Sequence, residues 1–257
     1  MKAIIMAAGK GKRLRPITEW VPKPLLPIGG QPVIGTLLTN LRAAGITDVL
    51  VVVGHLADKM RRFLGDGSAY DVRLIYREQA ERLGTAHAVM QALDFIDDET
   101  MVLAGDTAFG PNHIGGLVEF HRQTGADVSI SLKRVPVERL TATSSVALAP
   151  DDAVRPGQGG RVTRIVEKPA PGTVPSNVAG APLHIYPPSL ADYLPRVKLS
   201  SRGEYELTDV VTMMITDGLR VMGKIEPLAP NLTDQHDILR LNFDYLKPLM
   251  ANVKRQT

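Results

Sequence analysis

The chain has 257 residues, 44% hydrophobic and 22% charged, with a formal net charge of +3 and no cysteine. That length supports one sizeable core, and the missing cysteines exclude disulfides, thiolate metal sites and a cysteine nucleophile. No run reaches the ~20 apolar residues of a membrane helix, and the opening MKAIIMAAGKGKR lacks a signal-peptide layout, so a cytoplasmic protein with no membrane partner is expected. KAIIMAA (2–8) reads as a buried parallel strand. It runs into Gly9 and Gly11 and a basic loop with Pro16, Pro22, Pro24 and Pro27, which reads as neither helix nor central strand. Pro32 suits a helix start; Ile34, Leu37, Leu38 and Leu41 follow at helical spacing, and Gly45 ends it. Strands are expected at 48–53, 71–76 and 100–105, with helices at 57–64 (stopped by Gly65) and 85–96 between them. Further strands are expected at 127–135, 144–149, 160–168 and 181–186, the last stopped by Pro187 and Pro188. Residues 151–160 read as a turn-rich insertion. A helix is expected over 207–218 with Thr208 as N-cap, and a last one over 235–249 with Ile238, Leu241, Tyr245 and Leu249 on one face.

Strands alternating with helices imply right-handed crossovers. The expected fold is therefore α/β, a Rossmann-like three-layer α/β/α domain with a mostly parallel central sheet and a smaller inserted lobe. In such sheets ligands sit beyond the carboxyl ends of the strands. The segments 9–15 and 79–85 and Asp106 all follow strands on that edge.

The segment Ala7-Ala8-Gly9-Lys10-Gly11-Lys12-Arg13 is the sharpest chemical signal. Glycines directly after a strand let backbone N–H groups approach an anion, and the cations that follow can neutralise polyphosphate. It is no Walker A loop, which needs four residues between glycine and Gly-Lys followed by Ser or Thr, and no dinucleotide fingerprint, since Leu14 stands where a third glycine belongs. Lys10, Lys12, Arg13, Arg15 and Lys23 share the first 23 residues with one acid, Glu19. A nucleic-acid site would interleave aromatics with such a cluster; Trp20 is the only one there, so no nucleic-acid partner is expected. Gln79 can both donate and accept a hydrogen bond, which suits the imide edge of uracil or thymine; Gly84 permits close approach, and Thr85 starts a helix. Asp106, at a strand end, is a natural Mg²⁺ ligand, since that ion takes one or two carboxylates plus phosphate oxygens.

The two-part spacing Gly9-x-Gly11-x-Arg13-Leu14-x-Pro16 and Pro22-Lys23-Pro24-Leu25-x-Pro27 resembles the signature of the nucleotide-sugar pyrophosphorylases, the sugar-1-phosphate nucleotidyltransferases. The one departure in it is Lys12, where that family usually has threonine. The resemblance extends through Gln79 and Gly84-Thr85-Ala86, Leu103–Asp106, Val166–Pro169 and Gly203–Asp209. It implies transfer of a nucleotidyl group from an NTP, UTP or dTTP favoured, to a sugar 1-phosphate, with Mg²⁺ as cofactor and pyrophosphate released. Cytidylyl or guanylyl transfer to another phosphorylated sugar or alcohol, and a catalytically silent nucleotide-sugar-binding subunit, stand as alternatives; a homo-oligomer is compatible with either.

The roles carried over are these. Arg13 holds the departing phosphates, and Lys23 the α-phosphate and the incoming phosphate. Ala8, Gly9, Gly11, Lys12, Gln79, Gly84 and Thr85 contact the nucleotide. Glu167 accepts from sugar hydroxyls and Lys168 meets the sugar phosphate, with Asn177 and Glu204 as further sugar-side contacts. Asp106 and Asn231 are the metal ligands, Asn231 standing where many relatives have aspartate. The resemblance divides the chain into a nucleotide-binding half at 1–125, a sugar-phosphate half at 126–230 and a C-terminal helix at 231–257. It thins in the sugar half: Pro182 stands where relatives have glycine and lacks the N–H that could meet a sugar hydroxyl, and Ser144-Ser145 lie where a strand glycine is usual.

Overall fold

The computed structural model describes residues 1–149, 159–170, 172–226 and 232–253. The elements are, in chain order, β1 (Lys2–Ala7), α1 (Ile17–Trp20), β2 (Pro27–Ile28), β3 (Gln31–Pro32), α2 (Val33–Ala43), β4 (Asp48–Val53), α3 (Ala57–Leu64), β5 (Arg73–Glu78), α4 (Thr85–Met90) and β6 (Thr100–Ala104). There follow α5 (Pro111–Thr124), β7 (Val128–Arg134), β8 (Ser144–Leu148), β9 (Gly159–Glu167), β10 (Val178–Tyr186), α6 (Leu190–Tyr193), α7 (Leu207–Thr216), β11 (Val221–Ile225) and α8 (Gln235–Val253).

Nine strands form one sheet in the order β5-β4-β1-β6-β10-β7-β11-β9-β8. β5, β4, β1 and β6 are parallel neighbours, as are β7 and β11; only β10 and β9 run against the other strands. β8 also pairs back onto β10 through Ala179 and Ser145, so β10, β7, β11, β9 and β8 close into a ring beside the open parallel half. The parallel strands are apolar on both faces: Val49, Leu50, Val51, Val52 and Val53 are all fully buried, as a sheet covered by helices on each side requires. One apolar cluster joins the sheet to α2, α5 and α8, the other to α4, α6 and α7, which gives the three layers.

Several local expectations are corrected. The proline loop is not free of helix: 3-10 turns span Lys12–Leu14 and Lys23–Leu25, and α1 lies between them. Pro16 and Pro22 stand just before these turns and Pro24 in the first turn, where a missing N–H costs nothing. The strand expected at 71–76 is shifted to β5, because Asp71 adopts a left-handed φ of 54° and ends the preceding turn. The helix expected over 85–96 stops at Met90 and gives way to a 3-10 turn at Leu93–Phe95. α5 and β11 were not read from the sequence. α5 starts at Pro111 behind Gly110 and ends at Gly125, both readable signals. Thr208 is not the N-cap of α7: Glu206 holds that position, and Thr208 lies inside the helix.

Pro182 sits in β10 between β6 and β7, where a proline breaks a ladder. The strand absorbs it by an irregularity: the register against β7 shifts between Gly180 and His184. No helix among the described residues is long and apolar enough to cross a membrane.

Candidate active site

β1, β4, β5 and β6 point their carboxyl ends to one rim, and predicted residues follow three of them. Ala8 and Gly9 follow β1, Gln79 follows β5, and Gly105-Asp106 follow β6. Gly11 adopts a left-handed φ of 59°, and a Cβ there would lie 2.8 Å from Thr18 Cγ2, so both conformation and space call for glycine. The turn is closed by the Leu14 N–H and the Thr18 hydroxyl, which both donate to the Gly11 carbonyl, at 2.8 and 2.9 Å. Lys10, Lys12 and Arg13 project from this turn as exposed side chains, without an ion pair among the described residues. Gly9, Lys10, Gly11 and Lys12 line an open cleft with Arg82, whose Nε donates to the Ala8 carbonyl at 3.1 Å. Arg82 was not singled out from the sequence; its position three residues after Gln79 was the available signal.

Lys23 behaves differently from these free cations. Its side chain is 14% exposed, against 33% for Asp106, and its ammonium is ion-paired with the Asp106 carboxylate. The flanking prolines and the 3-10 turn at 23–25 present it there. Leu232 N–H donates to the Asp106 carbonyl at 3.3 Å. Asn231, the other predicted metal ligand, lies outside the described residues.

Gln79 is 4% exposed. Its amide nitrogen donates to the Gly84 carbonyl at 3.1 Å and lies 3.0 Å from His87 Nδ1. Gly84 has a φ of 110° and no room for a Cβ, which would strike the Tyr205 carbonyl and lie 2.7 Å from its nitrogen. The Tyr205 backbone clamps this segment: Tyr205 N–H donates to the Leu83 carbonyl at 2.7 Å, and Ala86 N–H to the Tyr205 carbonyl at 2.9 Å. Thr85 does not cap its own helix. Its hydroxyl accepts from the Leu207 N–H at 3.0 Å, satisfying a free donor in the first turn of α7. The Gly203–Asp209 block thus braces the Gln79–Thr85 segment.

A second cavity, of about 210 Å³, lies over the sheet beside this segment. Met6, Val102, Ala181 and Pro182 form its apolar wall, and Thr85, Ser144, Glu167 and Thr208 line it as polar residues. Burial pushes the Glu167 carboxyl above its usual range and nearby Glu206 adds to this, while Arg202 and Lys168 pull it back. Arg202 stands among three carboxylates: paired with Glu206, 3.6 Å from Glu204 and 3.8 Å from Glu167. His184 is buried and its titration lowered to about 4 by desolvation; it bonds Tyr186 and the Ala181 carbonyl, 2.7 and 3.1 Å away, and acts as a packing residue.

The other predicted sugar-side residues lie apart from this wall. Lys168 is exposed at a left-handed φ of 42° next to Glu167. Asn177 is exposed and accepts from Arg134 Nη1 at 3.1 Å. Glu204 is half-exposed beside Arg202. Arg202 and His87 carried no separate signal in the sequence, and Ser144 and Thr208 were read there only as a departure from glycine and as a helix cap, because burial and partner decide their significance and neither shows in a motif.

An open parallel half with a glycine turn and exposed cations on its carboxyl rim, next to a half-open cavity of mixed lining, defines an α/β protein whose candidate site is a strand-end crevice with positive charge on one side. The sequence model of the Nucleotidyl transferase family matches residues 2–226, and the chain belongs to that family. It is 33% identical over 223 residues to a low-salt glycan biosynthesis nucleotidyltransferase of Haloferax volcanii, covering 86% of this chain and 59% of the relative. It is 32% identical to a glucose-1-phosphate thymidylyltransferase of Streptomyces griseus, covering 96% of this chain and 68% of that one. A Bacillus anthracis structure assigned to glucose-1-phosphate thymidylyltransferase, in complex with a sucrose, superposes with a TM-score of 0.80 at 27% identity, covering 95% of both chains. The chain thus spans between 59% and 68% of the length of these two curated relatives.

Proposed function

We propose that the chain is a sugar-1-phosphate nucleotidyltransferase using UTP or dTTP. One observation carries the reading. The segment Gln79–Thr85 borders both the cation-lined cleft, through Arg82, and the Glu167 cavity, through Thr85. A nucleotide whose base lies on that segment has its phosphates over the glycine turn and its α-phosphorus facing the second cavity.

In this reaction a phosphate oxygen of the sugar 1-phosphate attacks the α-phosphorus. The new P–O bond forms as the bond to the β-phosphate breaks, and pyrophosphate leaves with the electron pair. Both reactants are anions, so catalysis consists of positioning and of charge placed where it develops. Arg13, with Lys10 and Lys12 on the same turn, neutralises the departing phosphates, while the Ala8–Gly11 backbone follows the nucleotide. Lys23 meets the α-phosphate and the incoming phosphate. Glu167 accepts hydrogen bonds from sugar hydroxyls, and Lys168 approaches the sugar phosphate; Asn177 and Glu204 are assigned to the outer sugar side.

Asp106 fits Mg²⁺, since one carboxylate plus phosphate oxygens satisfies that ion. Asp106, with Asn231, would hold it, and it would supply positive charge to the triphosphate. We assign residues 1–125 to the nucleotide, 126–230 to the sugar phosphate and 231–257 to the terminal helix.

The test is a matrix of NTPs against sugar 1-phosphates, scored by pyrophosphate release. UTP or dTTP with at least one sugar 1-phosphate is expected to give product; a blank matrix contradicts the assignment.

A further inference from the structure

We propose that His87 is a positioning residue that fixes which edge of Gln79 meets the base, and so sets the preference for an imide pyrimidine. This rests on the reading of Gln79 as the base contact. The Gly84 carbonyl can only accept, so the Gln79 atom 3.1 Å from it is the amide nitrogen. The same nitrogen lies 3.0 Å from His87 Nδ1, which therefore accepts the second N–H. Both amide hydrogens are spent inside the fold, and Gln79 Oε1 takes no hydrogen bond among the described residues. The Gly84 N–H likewise donates to nothing among them.

A base on Gln79 is then offered one fixed acceptor, Oε1, with the N–H of the neighbouring Gly84 as the unspent donor of the same segment. Uracil and thymine present the complement, a ring N3–H next to a carbonyl oxygen. Cytosine presents an unprotonated N3 next to an amine, which sets acceptor against acceptor and donor against donor. A buried unpaired polar group is costly, so a fixed edge discriminates strongly.

His87 is itself held. Its ring stacks on Tyr205 with centroids 6.2 Å apart and planes at 28°, and the Gln91 amide donates to its carbonyl at 2.9 Å. Without the His87 contact, Gln79 keeps only the Gly84 bond and its amide can swing away from the base.

The experiment measures equilibrium binding of UTP, dTTP and CTP, without sugar phosphate, to wild type, His87→Phe and His87→Asn. Phenylalanine keeps the stack on Tyr205 and removes the acceptor; asparagine restores an acceptor oxygen near the position of Nδ1. Thermal melts check that each variant is folded. Wild type is expected to prefer UTP and dTTP to CTP. His87→Phe should lose about tenfold in UTP affinity, the size of one hydrogen bond, with most of the UTP-to-CTP ratio, and should raise KM for UTP more than it lowers kcat. His87→Asn should stay within about twofold of wild type on the same scale. A His87→Phe protein with the wild-type ratio, a His87→Asn protein as impaired as His87→Phe, or a wild type indifferent to the base overturns the proposal. A wild type that prefers UTP yet releases no pyrophosphate with any sugar 1-phosphate contradicts the transferase reading alone, and the binding ratios still decide the role of His87.

Discussion

The strand-end rim and the Glu167 cavity, proposed to take the nucleotide and the sugar, are built by different means. On the rim, the functional residues other than Lys23 follow their strands within a few positions, and the cations Lys10, Lys12 and Arg13 stand exposed. In the cavity, Thr85, Ser144, Glu167, Pro182 and Thr208 come from five separate segments of the chain, and Glu167 is half-buried near other acids. On the proposed function the rim would offer charge to a diffusing triphosphate, and the cavity would select shape and hydroxyl pattern. This predicts that rim substitutions act on rate and affinity for any sugar, whereas cavity substitutions change which sugar is used.

The largest effect is expected at Lys23. Lys23→Ala should lower turnover by about 10²–10³-fold, the loss typical of removing one preorganised charge from a transition state, while Tm moves little because the partner Asp106 is partly solvated. Pyrophosphate release and a thermal melt check both. Asp106→Ala should come next, with a flattened Mg²⁺ dependence; activity that still follows Mg²⁺ as in wild type would remove Asp106 from the metal site.

Glu167 marks the other side. Its carboxyl is raised above the ordinary 4.5, burial first. A carboxyl with a raised folded-state pKa favours folding below its unfolded pKa, and that contribution is lost as pH rises through the folded value. Glu167→Gln should therefore melt at a higher temperature than wild type near pH 7, with the difference fading in acid. Its KM for the sugar phosphate should rise about tenfold or more, as for a lost hydrogen bond to a charged group. In wild type the same KM should climb as pH falls into the raised titration range. An unchanged melt at both pH values separates burial from function. The smallest effect is expected at Pro182→Gly, which restores an N–H on the cavity wall: the ranking of sugar 1-phosphates should change while the ranking of NTPs does not.

The same division explains what was legible in the sequence. The strand-turn sequences of the parallel half follow from local rules, since an apolar run, a glycine and a following helix repeat within about thirty residues of one another. Gly11, Gln79, Gly84 and Asp106 could be named because a motif holds them together. The ring of β10, β7, β11, β9 and β8 could not be read, because β8 closes it through a long-range pairing to β10 that no periodicity encodes. Thr85 as the partner of Leu207, Arg202 among three carboxylates, and His87 behind Gln79 are likewise tertiary facts. Pro182 was legible as a departure, but only the register shift around it explains how a central strand tolerates it.

The central claim is that the glycine turn and the proline-flanked lysine hold one triphosphate between them. A crystal structure with UTP and Mg²⁺ tests it directly. Phosphate oxygens within hydrogen-bond distance of the Gly9–Arg13 turn and of Lys23, with uracil on Gln79, are predicted. A nucleotide bound elsewhere, with Lys23 still paired to Asp106, would contradict it.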